Sequence, residues 1–189
     1  MKGKIIILSA PSGAGKSSII KELMKMPELR LRFSISATSR SPRGNEEHGK
    51  DYFFLTKEEF DKKISTDSFV EWEEVYKGIR YGTLVSEIQR ITEEGNNVIM
   101  DVDVKGALNI KKRYNKESLS LFIMPPDINI LEERLRKRNT DSEEMIRERV
   151  NKASHELEYA KDFDGIIIND KLDVAVGETA DAIKHFINE

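Results

Sequence analysis

The chain has 189 residues, with 31 basic and 34 acidic side chains, a formal net charge of −3 and no cysteine. That length suits one domain with a full core, and the balanced charge excludes a globally basic binder of nucleic acid or anionic membrane, so any anion site must be local. Without cysteine there are no disulfides or thiolate metal sites, and the scattered His48, His155 and His185 disfavour a metal hydrolase.

The first element is KIIILS (4–9), an apolar run suited to a buried strand. It is too short for a signal peptide or a membrane span, and the expectation is a soluble, cytoplasmic protein that engages neither membrane nor nucleic acid. The segment SAPSGAGKSS (9–18) follows, matching GxxxxGK[ST] except that Ala10 replaces the first glycine. A strand ends at Ser9 and a helix is expected from Lys16 to residue 26, the strand–loop–helix context that a phosphate-binding loop requires. Alanine at position 10 costs little if its φ stays negative, whereas amides around Gly13, Gly15, Lys16 and Ser17 face the phosphates. Ala10, Pro11, Ser12, Gly13, Ala14, Gly15, Lys16, Ser17 and Ser18 are therefore the candidate loop for ATP or GTP. Lys16 would reach the β- and γ-phosphates, and Ser17 would be a ligand of Mg2+. A plain glycine turn with a solvated lysine is the alternative.

Residues 35–82 break the pattern with short pieces, FSISATSR, DYFFLT and FVEWEEVY, separated by polar turns such as SPRGNEEHGK. They predict a small inserted sheet, read as a substrate lobe. Arg40 and Arg43 lie three apart around a proline turn with Tyr52 beyond, two guanidinium forks and a phenol for one small dianion. Solvated surface is the competing reading.

A helix is expected over 83–94, then a buried strand, NVIMDV (97–102), that places Asp101 where a carboxylate holds magnesium through water. Capping of the next turn is the other possibility for Asp101. A helix over 105–114, a strand over 118–124 and a helix over 127–138 come next. RLRKRNTDSEE (134–144) reads as a helix end, a lid hinge and a new N-cap at Asp141 or Ser142. A helix over 142–161, a strand over 164–170 and a helix over 172–187 complete the chain. The alternation predicts an α/β fold with a parallel sheet and right-handed crossovers.

The segments SAPSGAGKSS, SISATSRSPRGNEEHGKDYFF, FVEW, YGT, VIMDVDVKGA and IIIND stand in the order and spacing of guanylate kinases, and the chain resembles that family over nearly its whole length. The resemblance implies a P-loop kinase core with an inserted mixed α/β GMP-binding lobe and a short lid. It implies one domain over 1–189, with core segments 1–34, 98–134 and 151–189, the lobe at 35–97 and the lid at 135–150. By the same resemblance Arg40, Arg43, Tyr52 and Tyr81 match residues that hold the GMP phosphate, and Ser36, Glu71, Thr83 and Asp103 match those around guanine. Arg134, Arg138 and Arg149 match lid arginines that close over the transferred phosphate or the adenine of ATP, and Asn169 matches a residue near that adenine. Lys16, Arg40, Arg134 and Arg149 are the expected catalytic set.

The base chemistry agrees with those positions. A carboxylate such as Glu71 can accept from both N1–H and the 2-amino group of guanine, while adenine turns a lone pair toward it. Glu71 as a rim carboxylate and Tyr81 as a packed aromatic are the structural alternatives. The chain departs from the family pattern at Asn139, at Lys105 and in a VYKGIRYGT connection one residue longer than is common. The implied reaction is ATP plus GMP giving ADP plus GDP, with lobe and lid moving inward. The alternatives are a non-catalytic guanylate-kinase-like binding module and a related P-loop kinase acting on a phosphorylated ribose. Monomeric and homo-oligomeric states are both open.

Overall fold

The apolar run at residues 5–9 is buried at every position, and its side chains divide between two separate cores. Ile6 and Leu8 join a cluster with Ile19, Leu23, Ala180 and Ile183. Ile5 and Ile7 join one with Ile88, Ile91, Ala107 and Ile110. A strand whose alternate side chains meet helices on opposite faces has no polar side, which is why the run reads as continuous rather than alternating.

The computed structural model describes residues 2–76, 78–137 and 142–189. In chain order the strands are β1 (Ile5–Ser9), β2 (Leu31–Phe33), β3 (Ala37–Thr38), β4 (Phe53–Phe54), β5 (Phe69–Tyr76), β6 (Ile79–Leu84), β7 (Asn97–Asp101), β8 (Ser118–Met124) and β9 (Gly165–Ile168). The α-helices are α1 (Lys16–Leu23), α2 (Lys57–Ser65), α3 (Val85–Glu93), α4 (Val104–Tyr114), α5 (Ile128–Lys137), α6 (Glu143–Leu157) and α7 (Leu172–Asn188). The central sheet runs β2-β7-β1-β8-β9, and every pairing in it is parallel. The phosphate-loop segment and Asp101 leave neighbouring strands at the same sheet end, the usual ligand edge of an open α/β sheet.

Residues 37–84 hold a second sheet in the order β4-β3-β6-β5. It is mixed, with β3–β4 parallel and β3–β6 and β5–β6 antiparallel. The expected inserted sheet is present, and so is a helix that the short pieces did not suggest. α2 begins with a capping box, in which Thr56 accepts from the Glu59 amide and Glu59 accepts from the Thr56 amide. Its Phe60 is fully buried and stacks on Phe69 at 4.4 Å. The helix that follows, α3, places Ile88 and Ile91 in the core of the central sheet.

α5 and α6 meet through Leu131, Leu135, Ile146 and Ala153, a small core of their own. Of the two N-cap candidates for α6, Ser142 takes the position and accepts from the Met145 amide. Asp141 and Asn139 lie outside the described residues. α6 ends at Leu157 rather than 161, followed by a 3-10 turn at Ala160–Asp162. No described helix is long and apolar enough to cross a membrane.

Candidate active site

The loop between β1 and α1 turns on two left-handed glycines, Gly13 at φ 95° and Gly15 at φ 92°. Ala10 keeps a negative φ and is nearly buried in the core, so the missing first glycine costs the loop nothing in backbone strain. The Ala14 amide donates to Pro11 O at 3.1 Å, and Asn169 Nδ2 donates to Ala14 O at 2.7 Å. Asn169 is 5% exposed, so at this position it ties the loop to the end of β9. No side chain caps α1, and its first turn opens onto the cavity beside it, where unpaired helix amides favour an anion.

That cavity, about 330 Å3, is lined by Ala10 to Gly13, Gly15 to Ser18, Asp101 to Asp103, and by Lys152 and Glu156 of α6. Lys16 Nζ lies 2.5 Å from Asp101 Oδ1 and donates to Val102 O at 3.0 Å. Ser17 and Asp101 both face this space. Among the described residues no group of three or more His, Asp or Glu side chains is arranged to hold a metal. One hydroxyl and one carboxylate fit an ion that keeps several waters and takes its other oxygens from phosphates, as Mg2+ does.

A second cavity of about 230 Å3 lies against the lobe and is lined by Ser36, Tyr52, Glu71, Glu73, Tyr81, Gly82 and Asp101 to Asp103. The segment Asp101–Asp103 is thus a wall of both cavities. At one end Thr83 Oγ1 donates to Glu71 Oε1 at 2.7 Å. Burial pushes the Glu71 carboxyl above its ordinary value and the Asp103 charge adds to this, against the Thr83 hydrogen bond. Thr83 is 2% exposed and does not line the cavity, so of this pair it is Glu71 that faces the space.

At the other end Arg40 Nε donates to Tyr81 Oη at 3.1 Å, and its guanidinium lies over the Tyr52 ring. Glu46 accepts both Arg40 Nη1 and Nη2, at 2.6 and 2.8 Å, and the Arg43 amide at 2.8 Å. The Arg40 hydrogen bond, then the Arg43 amide, hold the Glu46 carboxyl down at about 2. Arg43 itself is exposed on the loop. The register Glu71↔Thr83 and Glu73↔Tyr81 is continuous, and the next irregularity lies beyond it, between Glu74 and Tyr76.

Asp103 caps α4 by accepting the Gly106 amide at 2.7 Å. Burial raises its carboxyl, but the hydrogen bond with Glu73, the Gly106 amide and the charges of Lys152 and Lys16 outweigh this and leave it lowered. Glu73 moves the other way, up to about 7, chiefly through that hydrogen bond with Asp103. From α6, Arg149 Nη1 reaches Ser12 Oγ at 3.1 Å, and from α5, Arg134 Nη2 reaches Asp170 O at 3.3 Å. Arg134 Nη1 is buried with no hydrogen-bond partner among the described residues. Arg138, expected to close over the transferred phosphate or the adenine of ATP, lies outside the described residues.

Sequence reasoning passed over Glu46, Glu73, Lys152 and Glu156. Glu46 was hidden in a polar turn. Strand alternation puts Glu73 on the face of Glu71, and helical spacing from Arg149 puts Lys152 and Glu156 on one side of α6, so both signals were available.

A phosphate loop at the edge of a parallel sheet, joined by one wall to a second polar cavity under an inserted lobe, is the layout of a P-loop phosphotransferase with a small-molecule acceptor. The guanylate kinase family model matches residues 2–186. A guanylate kinase of Bacteroides thetaiotaomicron is 51% identical over 189 residues, all of this chain and 92% of that one. One from Porphyromonas gingivalis is 53% identical over 184 residues, covering 97% of this chain and 98% of that one. The crystal structure of guanylate kinase from Anaplasma phagocytophilum superposes with a TM-score of 0.75 at 26% identity, covering all of this chain and 88% of that one. The chain belongs to the guanylate kinase family.

Proposed function

We propose that the protein transfers the γ-phosphate of ATP to GMP, with the nucleotide triphosphate in the loop cavity and the monophosphate in the lobe cavity. The observation that supports this reading is the wall at Asp101–Asp103 that the two cavities share, across which a donor in one and an acceptor in the other would lie side by side. Glu71, oriented by Thr83, accepts the N1–H and 2-amino protons of guanine, with Ser36 and Asp103 at the same end. Arg40, Arg43, Tyr52 and Tyr81 take the acceptor phosphate. Tyr81 accepts from Arg40 Nε, so its own proton is available for a phosphate oxygen.

A monophosphate loses its second proton near pH 6, so at neutral pH the attacking oxygen is already anionic and no general base is needed. The protein's task is in-line positioning and charge neutralisation in a site closed to water. Lys16 turns from Asp101 to the β- and γ-phosphates, and Arg134, Arg138 and Arg149 add charge from the lid. Ser17, and Asp101 through water, would hold Mg2+, which would supply positive charge against the charge of the phosphates. The lobe, expected at 35–97, and the lid, at 135–150, close over the substrates; small-angle scattering with both nucleotides present checks this as a loss of radius relative to the free protein.

The test is ADP release from ATP and Mg2+ with GMP, AMP, UMP or no acceptor, comparing the native chain with Lys16→Ala. The reading expects release that depends on GMP and is lost in the variant. GMP binding without acceptor-dependent release would replace it with a non-catalytic binding module.

A further inference from the structure

The polar groups of GMP are its base edge, its phosphate and its ribose hydroxyls. The lobe cavity supplies Glu71, Ser36 and the Thr83-supported end for the base, and the Arg40–Tyr52–Tyr81 end for the phosphate. The remaining polar side chains on its wall are Asp101, Asp103 and Glu73. Asp101 is paired with Lys16 at 2.5 Å. Asp103 and Glu73 line the cavity together, and the Asp103 charge bears on both Glu71 and Glu73, so it stands between the base end and Glu73.

Strand register locates Glu73 along that axis. Glu71 faces Thr83 and Glu73 faces Tyr81 across the β5–β6 ribbon, so Glu73 lies two residues, roughly 7 Å, from the base-reading carboxylate and beside the phosphate-binding tyrosine. The sugar of a nucleoside monophosphate joins its base to its phosphate and must cross this interval. A carboxyl pair there can accept a hydrogen bond from a ribose hydroxyl. Glu73 also borders the neighbouring space beside Lys105, Lys152 and Glu156, and the two lysines keep the pair's charge compensated.

We propose that Glu73, with Asp103, reads the ribose 2′-hydroxyl and sets a preference for ribo- over deoxyribonucleotide acceptors. This rests on the lobe cavity being the GMP site. A deoxyribose leaves the pair without that partner, and the lost hydrogen bond to a carboxyl is worth a selectivity on the order of tenfold in kcat/KM.

Acceptor kinetics with GMP and dGMP test this in the native chain, Glu73→Ala, Glu73→Gln and Glu71→Ala. The native chain is expected to prefer GMP by about tenfold. Glu73→Ala should lower kcat/KM for GMP to near the dGMP value while leaving dGMP almost unchanged, which also shows that the variant folds. Glu73→Gln, which keeps a hydrogen-bonding head, should retain part of the preference. No preference in the native chain, an equal fall for both acceptors, or an unchanged ratio overturns the proposal. If Glu71→Ala leaves GMP kinetics intact, the cavity assignment itself fails and the proposal with it; if Glu71→Ala is impaired while Glu73→Ala keeps the native ratio, only the ribose role fails.

Discussion

Replacing Gly15 with alanine perturbs the phosphate loop at a point where both costs can be worked out. Gly15 sits at φ 92°, ψ 13°, a left-handed conformation that costs a side chain about 1–2 kcal/mol. A Cβ there would lie 2.3 Å from Asn169 Nδ2, the atom that donates to Ala14 O at 2.7 Å in a buried bond. The Asn169 amide must move away, and stranding that donor and acceptor adds about 1–3 kcal/mol. The total, about 2–5 kcal/mol, is read as a lower urea midpoint at an unchanged m-value.

A double-mutant cycle separates the two costs. Among the described residues, both atoms within 4 Å of the new Cβ belong to Asn169, and Asn169→Ala already gives up the bond. The double variant should therefore lose less than the sum of the single variants by about 1–3 kcal/mol. Additive losses, or a Gly15→Ala chain within about 0.5 kcal/mol of the native one, would refute the reasoning.

Thr83→Val keeps the side-chain shape but removes the donor that Glu71 accepts at 2.7 Å. Urea unfolding should show a loss of about 1–3 kcal/mol, and steady-state kinetics a rise in KM for GMP larger than any fall in kcat; an unchanged KM would contradict the role given to this pair. For Glu73, the folded value of about 7 lies above the ordinary 4.5, so the protonated carboxyl favours folding. Its contribution is complete below about pH 4.5 and is lost as the pH rises through 7. Unfolding free energies across that window should fall less steeply in Glu73→Gln than in the native chain, and a side-chain 13C titration should place the Glu73 midpoint near 7; a midpoint in the ordinary carboxylate range would contradict the role given to the Asp103 carboxyl beside it.

The alternation of buried runs and helical stretches made the central sheet readable, because a strand covered on both faces leaves an unbroken apolar run such as residues 5–8. β2 escaped notice, since three residues with Arg32 exposed in the middle form no run at all. α2 was lost among short charged pieces: a single fully buried residue, Phe60, anchors it, although the Thr56–Glu59 capping pair marks its start in the sequence. The phosphate loop was legible because its backbone demands are local, with glycine at two left-handed positions. Tyr52 and Glu71, which line the lobe cavity, and Arg40, which lies over the Tyr52 ring, were singled out through the family resemblance. Glu46 and Glu73 were not, since each acquires its role from a partner distant in the chain or in the turn, Arg40 for one and Asp103 for the other.

The central claim is that the two cavities work together across the Asp101–Asp103 wall. It is tested most directly by calorimetric binding of a ligand in which adenosine and guanosine are joined 5′ to 5′ through a polyphosphate chain. The account expects a single ligand per chain, bound far more tightly than either mononucleotide and weakened by both Lys16→Ala and Glu71→Ala. Weakening by only one of these substitutions, or affinity no better than that of ATP alone, would contradict it.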